Sequence, residues 1–319
     1  MTRVLLATYG TRGDVEPLVA LAVELRALGA DVRMCTPPDE EFTDRLAGLG
    51  IERVPVGPPV RALMRATAPP TPAELTRYRT ELLETQFDVL PAAAEGCDAL
   101  VAAGLAQVAA RSVAEAMGIR YVYVTYAAVN LPSRHHAPPP RPGWPEPPGL
   151  ANAALWELDA QRVNAQFREP LDAHRAALGL PPVANVRDHV YSDRPWLAAD
   201  PVLGPAGPDL DVVRTGAWTV PDERPLPPEL TAFLEAGPPP VYVGFGSISP
   251  APDIARWSVE VSRARGYRVL VSRGWADLAV DGCFAIGDVN HQRLFGRLAA
   301  VVHHGGAGTT QTAARAGVP

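Results

Sequence analysis

Near the end of the chain a histidine pair meets a glycine-rich run: His303-His304-Gly305-Gly306-Ala307-Gly308-Thr309-Thr310. The apolar residues 299–302 before it read as a buried parallel strand, and residues 311–316 after it read as a helix. A glycine-rich turn between a strand's carboxyl end and a helix's amino end gathers backbone N–H groups and the positive helix terminus, which suits a phosphate or a diphosphate. The glycines allow an anion close to the backbone, and His304 adds a hydrogen bond or a charge. Such a turn, taken alone, is equally compatible with plain turn geometry.

Three further stretches have residues of the right types. Tyr9-Gly10-Thr11-Arg12-Gly13-Asp14 follows the first apolar strand, at the sheet edge where open α/β proteins bind ligands. Asp14 suits a helix N-cap first, and it also suits a general base that takes the proton of an attacking hydroxyl; the two roles are not exclusive. Gly244-Phe245-Gly246-Ser247 closes a later strand, and it equally suits a plain turn or a site where Ser247 donates to a phosphate. It lacks the third glycine and the following acidic residue of a dinucleotide fingerprint, so a nicotinamide dehydrogenase is the weakest reading. Residues 287–292, with Val289 and His291, follow a short strand and can present backbone groups to a base, or form a polar loop and nothing more. Together these loops suit group transfer from a nucleotide. A donor would sit on the anion loop and an acceptor would meet it at Asp14 across a cleft, with N–H groups and His304 stabilising the diphosphate as it leaves.

The elements that must position these loops alternate strand and helix. Strands are expected at residues 4–8, 32–36, 51–56, 99–104 and 121–126, with short ones at 196–200 and 212–216. Helices are expected at 15–28, 106–117 and 152–178. This alternation predicts an α/β fold with a parallel sheet covered on both faces. Residues 219–240 are rich in proline and read as a semi-rigid interdomain linker. A second strand–helix series starts at Val241, so the expected domains are 1–218, a linker at 219–240, and 241–319. The chain ends one helix past the anion loop, and an incomplete second domain is expected.

Composition sets the outer limits. The 319 residues carry a net charge of −6, which gives no electrostatic case for nucleic acid or an anionic membrane. No apolar run approaches the roughly 20 residues needed to span a bilayer. The three cysteines, Cys35, Cys97 and Cys283, form neither a disulfide framework nor a metal-ligand pattern. A cytoplasmic monomer is expected, with no metal and no cofactor beyond a nucleotide sugar as co-substrate. The 35 prolines are about twice ordinary usage and cluster in loops.

On these motifs the chain resembles the two-domain glycosyltransferases of the GT-B fold, two Rossmann-like domains facing across a cleft. More narrowly, it resembles the bacterial enzymes that glycosylate vancomycin-group heptapeptide aglycones. The resemblance rests on residues 10–21, 29–35, 93–97, 179–183 and 195–203, on Thr215-Gly216-Ala217-Trp218, on residues 221–226, 243–247 and 270–278, and on the double-His loop. It covers essentially the whole chain, and the Trp218 and 272–278 stretches are its most specific parts.

The resemblance implies that Asp14 activates an acceptor hydroxyl, most suitably a phenol, whose pKa of about 10 a carboxylate can serve. It implies that Thr11 and Arg12 lie beside the reaction centre, and that Ser247, His304, Gly306, Ala307, Gly308 and Thr309 hold the diphosphate. Val289 would meet the nucleobase through its backbone, with His291 beside it. Residues 60–78 and 131–148 would be loops around the acceptor. The reaction would be an inverting, metal-independent single displacement that moves a hexose, with UDP-glucose the favoured donor over UDP-N-acetylglucosamine or a TDP-aminodeoxysugar. In the family, the residues that read the donor sugar lie beyond Pro319, so weak turnover is expected of a chain that stops there. The alternatives are a macrolide or other polyphenol acceptor, or a non-catalytic sugar-nucleotide-binding protein. A His in the first loop marks many enzymes of the macrolide kind, and this chain has Arg12-Gly13-Asp14 there instead.

Overall fold

In the computed structural model of the chain, residues 1–64, 70–141, 144, 147–248 and 252–319 are described. The chain divides into two α/β units, with the boundary between Trp218 and Thr219. The first unit contains β1 (Arg3–Thr8), α1 (Arg12–Ala27), β2 (Asp31–Thr36), α2 (Glu40–Gly48) and β3 (Glu52–Pro55), and after the short α3 (Val60–Met64), which beyond Val60 groups with the second unit, α4 (Pro72–Ala93) and β4 (Ala99–Ala103). It continues with α5 (Ala110–Met117), β5 (Arg120–Thr125), α6 (Asn152–Ala177), α7 (Val186–Val190), β6 (Trp196–Leu197) and β7 (Val213–Arg214). The second unit has α8 (Pro228–Glu235), β8 (Val241–Gly244), α9 (Pro252–Ala264), β9 (Val269–Ser272), β10 (Phe284–Ile286), α10 (His291–Leu294), β11 (Ala300–His303) and α11 (Ala307–Ala316).

Each unit is built on one sheet. The first is seven-stranded in the order β3-β2-β1-β4-β5-β6-β7, and the second is four-stranded in the order β10-β9-β8-β11. Every strand pairing in both is parallel. The strand sequences explain this. Residues Val4 to Thr8 of β1 are all buried, as a strand covered on both faces requires.

In the second unit the period-two alternation of side chains divides one sheet between two cores. Tyr242, Leu270 and Ile286 pack on one face with Leu230 and Leu234 of α8. Val241, Val243, Val269 and Val271 pack on the other with Ala255 and Val259 of α9. Residues 219–240, expected to be a linker, therefore supply part of the second unit's core. Between its prolines lies the helix α8, whose two leucines, Leu230 and Leu234, are buried, each contributing about 2 kcal/mol through burial.

The strand order places a switch point in each sheet. Chain order reverses direction between β1 and β4 in the first sheet and between β8 and β11 in the second. Crevices outside the carboxyl ends of the strands open at such points, and ligands bind there in open α/β sheets. Of the loops expected around an acceptor, residues 65–69, 142, 143, 145 and 146 lie outside the described residues. No described helix is long and apolar enough to cross a membrane.

Candidate active site

The first switch point is occupied by the turn after β1. Helix α1 starts at Arg12, with Thr11 as its N-cap and Asp14 as its third residue. Asp14 is therefore not the N-cap that its place in the sequence suggested. It reaches back, and its Oδ2 accepts the Thr11 backbone N–H at 2.7 Å and the Thr11 hydroxyl at 3.4 Å. This is the reciprocal arrangement of a capping box. Gly10 is required here: its φ is +153°, and a Cβ on it would collide with Asp14 Oδ2.

The other carboxylate oxygen, Oδ1, lies 4.0 Å from the place a Cβ would take on Gly104, the residue that follows β4. Asp14 thus faces the gap between the ends of β1 and β4. Burial pushes its carboxyl up to about 6, against the opposing pull of the Thr11 backbone and hydroxyl bonds. A carboxylate that titrates there is ionised at neutral pH and more basic than an exposed one, as proton abstraction requires.

The main chain of Asp14 is held from two other directions. Its carbonyl accepts the Thr8 hydroxyl at 3.2 Å and the Tyr126 hydroxyl at 3.1 Å. Neither residue was singled out from the sequence. Arg12 points elsewhere: its guanidinium pairs with both oxygens of Glu41, at 3.0 and 3.2 Å, within the first unit.

At the second switch point the turns after β8 and β11 meet. The His304 imidazole covers Gly306, where a Cβ would collide with Nε2, and its Cε1 is 3.3 Å from the place of a Cβ on Gly246. Gly246 and Gly305 hold φ values of +60° and +82°, which favour glycine. Ser247 is buried directly after Gly246. The Gly305 N–H donates to His303 Nδ1 at 3.1 Å, so the two histidines have different tasks. Partial desolvation first, and His303 second, hold His304 below the usual imidazole range.

Helix α11 begins at Ala307, so the N–H groups of Ala307, Gly308 and Thr309 fall in its first turn. Like those of any helix start, they have no intrahelical carbonyl partner. Four of the expected donor-binding residues, His304, Gly306, Ala307 and Gly308, thus lie in one turn, with Thr309 next and Ser247 on the neighbouring loop.

The loop after β10 is separately braced. Val289 is buried. Asn290, also buried, caps α10 by accepting the Arg293 N–H at 3.0 Å, and its amide donates to the carbonyls of Asp222 and Arg224 at 2.6 and 2.8 Å. Gln292 donates to the Val220 carbonyl at 2.9 Å and accepts the Asp222 N–H at 3.2 Å. Arg224 reaches Asp288 at 2.8 Å. The His291 ring stacks on Phe295, with centroids 4.9 Å apart, and its Nε2 shares a 3.3 Å hydrogen bond with the Tyr242 hydroxyl. Trp275, which is fully buried, donates its backbone N–H to the Gly246 carbonyl at 2.9 Å and so ties the loop after β9 to the loop after β8. Among the described residues, no three His, Cys, Asp or Glu side chains gather into a metal-binding group.

Comparison with known proteins agrees with this reading of the two sheets. The N-terminal domain of glycosyltransferase family 28 matches residues 4–131. The vancomycin aglycone glucosyltransferase of Amycolatopsis orientalis is 55% identical over 325 residues, which cover 99% of this chain and 79% of that protein. The dTDP-epi-vancosaminyltransferase of the same organism is 50% identical over 328 residues, 99% of this chain and 78% of that protein. Among solved structures, the glycosyltransferase of kitacinnamycin superposes with a TM-score of 0.70 at 18% identity, over 99% of this chain and 79% of that one. That likeness shows the fold.

Proposed function

The chain belongs to the family of glycosyltransferases that act on vancomycin-group aglycones, and we propose that it moves glucose from UDP-glucose to a phenolic hydroxyl of a glycopeptide heptapeptide aglycone. In this reading Asp14 accepts the acceptor's proton as the phenol oxygen attacks the anomeric carbon. A new C–O bond forms at that carbon, and the bond to the diphosphate breaks from the opposite side, inverting the centre. The departing diphosphate takes up the electron pair. The first-turn N–H groups of α11, with Ser247 and His304, stabilise its charge without calling on a metal. The backbone at Val289 meets the base, and His291 supports it from the side. Thr11 acts by holding the Asp14 carboxylate.

The observation that carries this proposal is the pairing of roles at the two switch points. A raised-pKa carboxylate stands at one, and a glycine-lined turn covered by His304 and opening a helix stands at the other. The choice of glucose is supported by the higher identity to the glucosyltransferase than to the dTDP-epi-vancosaminyltransferase, 55% against 50%. We place the enzyme in the cytoplasm as a monomer.

The test is mass spectrometry of a sugar-free vancomycin-type aglycone incubated with the chain and UDP-glucose. A gain of one hexose, lost in Asp14→Asn while UDP binding persists, is expected. UDP binding with no hexose gain from any of the three donors would favour a sugar-nucleotide-binding protein. Gain only with a TDP-sugar would move the donor assignment.

A further inference from the structure

Tyr126 stands just past the end of β5, which is separated from β1 by β4. Its hydroxyl nevertheless reaches the carbonyl of Asp14 at 3.1 Å. The reach spans two strand spacings, about 10 Å. It passes the end of β4, where Gly104 has φ +87° and no side chain to obstruct it. The ring of Tyr126 is in turn set edge-on against Trp218, with centroids 6.5 Å apart at 70°. Trp218 is set edge-on against Trp196 of β6, 6.3 Å apart at 89°. Trp218 is also the last residue of the first unit.

Two aromatic rings, Trp218 and Tyr126, therefore lead from the end of the first unit to the backbone of Asp14, with Trp196 set against Trp218 from its other side. Edge-to-face contacts of this kind contribute about 0.5–1.5 kcal/mol each and fix ring orientation more sharply than aliphatic packing does. The hydroxyl at the end of the series is bonded to the main chain of the residue proposed as the base, and a reacting group works only when held close to its productive geometry.

We propose that Tyr126 is a positioning residue for the reaction: it fixes the main chain of Asp14, and Trp218 locks Tyr126 in the orientation that does so. The inference rests on Asp14 being the base. Thr11 sets the carboxylate from within the same turn, whereas Tyr126 sets the turn itself from across the sheet. Trp218 makes that setting depend on the point where the chain leaves the first unit.

The experiment is steady-state kinetics on Tyr126→Phe, Trp218→Leu, the double variant and Asp14→Asn, with melting temperature and UDP affinity measured on each. Tyr126→Phe keeps the ring and removes only the bond. It is expected to lower kcat by about tenfold, as a displaced reacting group does, with both KM values and UDP affinity unchanged. Trp218→Leu is expected to lower kcat similarly, and the double variant to be no slower than the worse single one, because the two act in series. Unchanged kcat in Tyr126→Phe, with Asp14→Asn inactive, would overturn the positioning role and leave the base standing. A fall in kcat that tracks a rise in KM and a fall in melting temperature would also overturn it, as would multiplicative effects in the double variant. Turnover retained in Asp14→Asn would remove the base, and the proposal with it.

Discussion

Asp14→Asn should make the protein more stable at neutral pH while removing its turnover. A carboxyl that titrates at about 6 in place of 3.8 disfavours the ionised folded state by about 3 kcal/mol. Partial exposure to water reduces this, and about 1–3 kcal/mol is expected in practice. The sign follows from proton binding. Between the unfolded and folded pKa values the folded chain holds more protons than the unfolded one. The parent's stability from this group is thus complete below about pH 4 and is lost as pH rises through about 6. Asparagine does not titrate, and its amide oxygen still accepts the Thr11 N–H. The variant should therefore match the parent near pH 4 and exceed it near pH 8. Urea unfolding of both proteins at the two pH values, followed by tryptophan fluorescence, reads the difference in midpoint. Turnover measured alongside should fall by about 10²–10⁴-fold, the usual contribution of a positioned general base. Equal stability at pH 8, or the same gain at both pH values, would refute the argument from burial. In the parent, kcat should rise with pH through about 6.

Three other outcomes are expected. Gly10→Ala sets a Cβ against Asp14 Oδ2, so turnover should fall by about 10²-fold while UDP affinity measured by calorimetry stays at the parent value. Asn290→Ala removes the α10 cap and two hydrogen bonds to the 222–224 backbone. It should cost about 2–4 kcal/mol, visible as a lower thermal midpoint together with weaker UDP binding. Asp159 is buried and pairs with Arg141 at 2.6 Å, so Asp159→Ala leaves a guanidinium without its partner and should cost about 3–5 kcal/mol in urea unfolding.

The strands were legible because buried parallel strands are written as short apolar runs, and β1, β4 and β5 need little else to be found. The glycine-rich turn before α11 was legible for the same reason, since its glycines stand directly between an apolar strand and a helix. Asp14 was misplaced by three positions because α1 starts at Arg12-Gly13, and a glycine in a first turn hides a helix start. Leu230 and Leu234 gave no sign of entering a core, because their partners Tyr242, Leu270 and Ile286 stand on strands that only the fold brings beside them. Tyr126 carried no signal at all: its bond to Asp14 joins residues 112 apart, and no local pattern records such a contact. Asn290 and Gln292 read as ordinary loop residues because their partners, residues 220–224, are near only in the fold.

That last contact has a bearing on how such enzymes can be recombined. Residues 220–224 come first in the second unit, and they are fastened by Asn290, Gln292 and Asp288 to the loop proposed to meet the base. Arg315 at the far end of α11 donates to the Thr219 hydroxyl at 3.2 Å. A chimaera joined at residue 240, where the proline-rich stretch ends, would bring in a foreign set of carbonyls for Asn290 and Gln292 to find. One joined between Trp218 and Thr219 carries the fastened segment with its own loop. The same cut leaves Trp218 beside Tyr126, so each parent contributes its half of the chemistry with its supports intact.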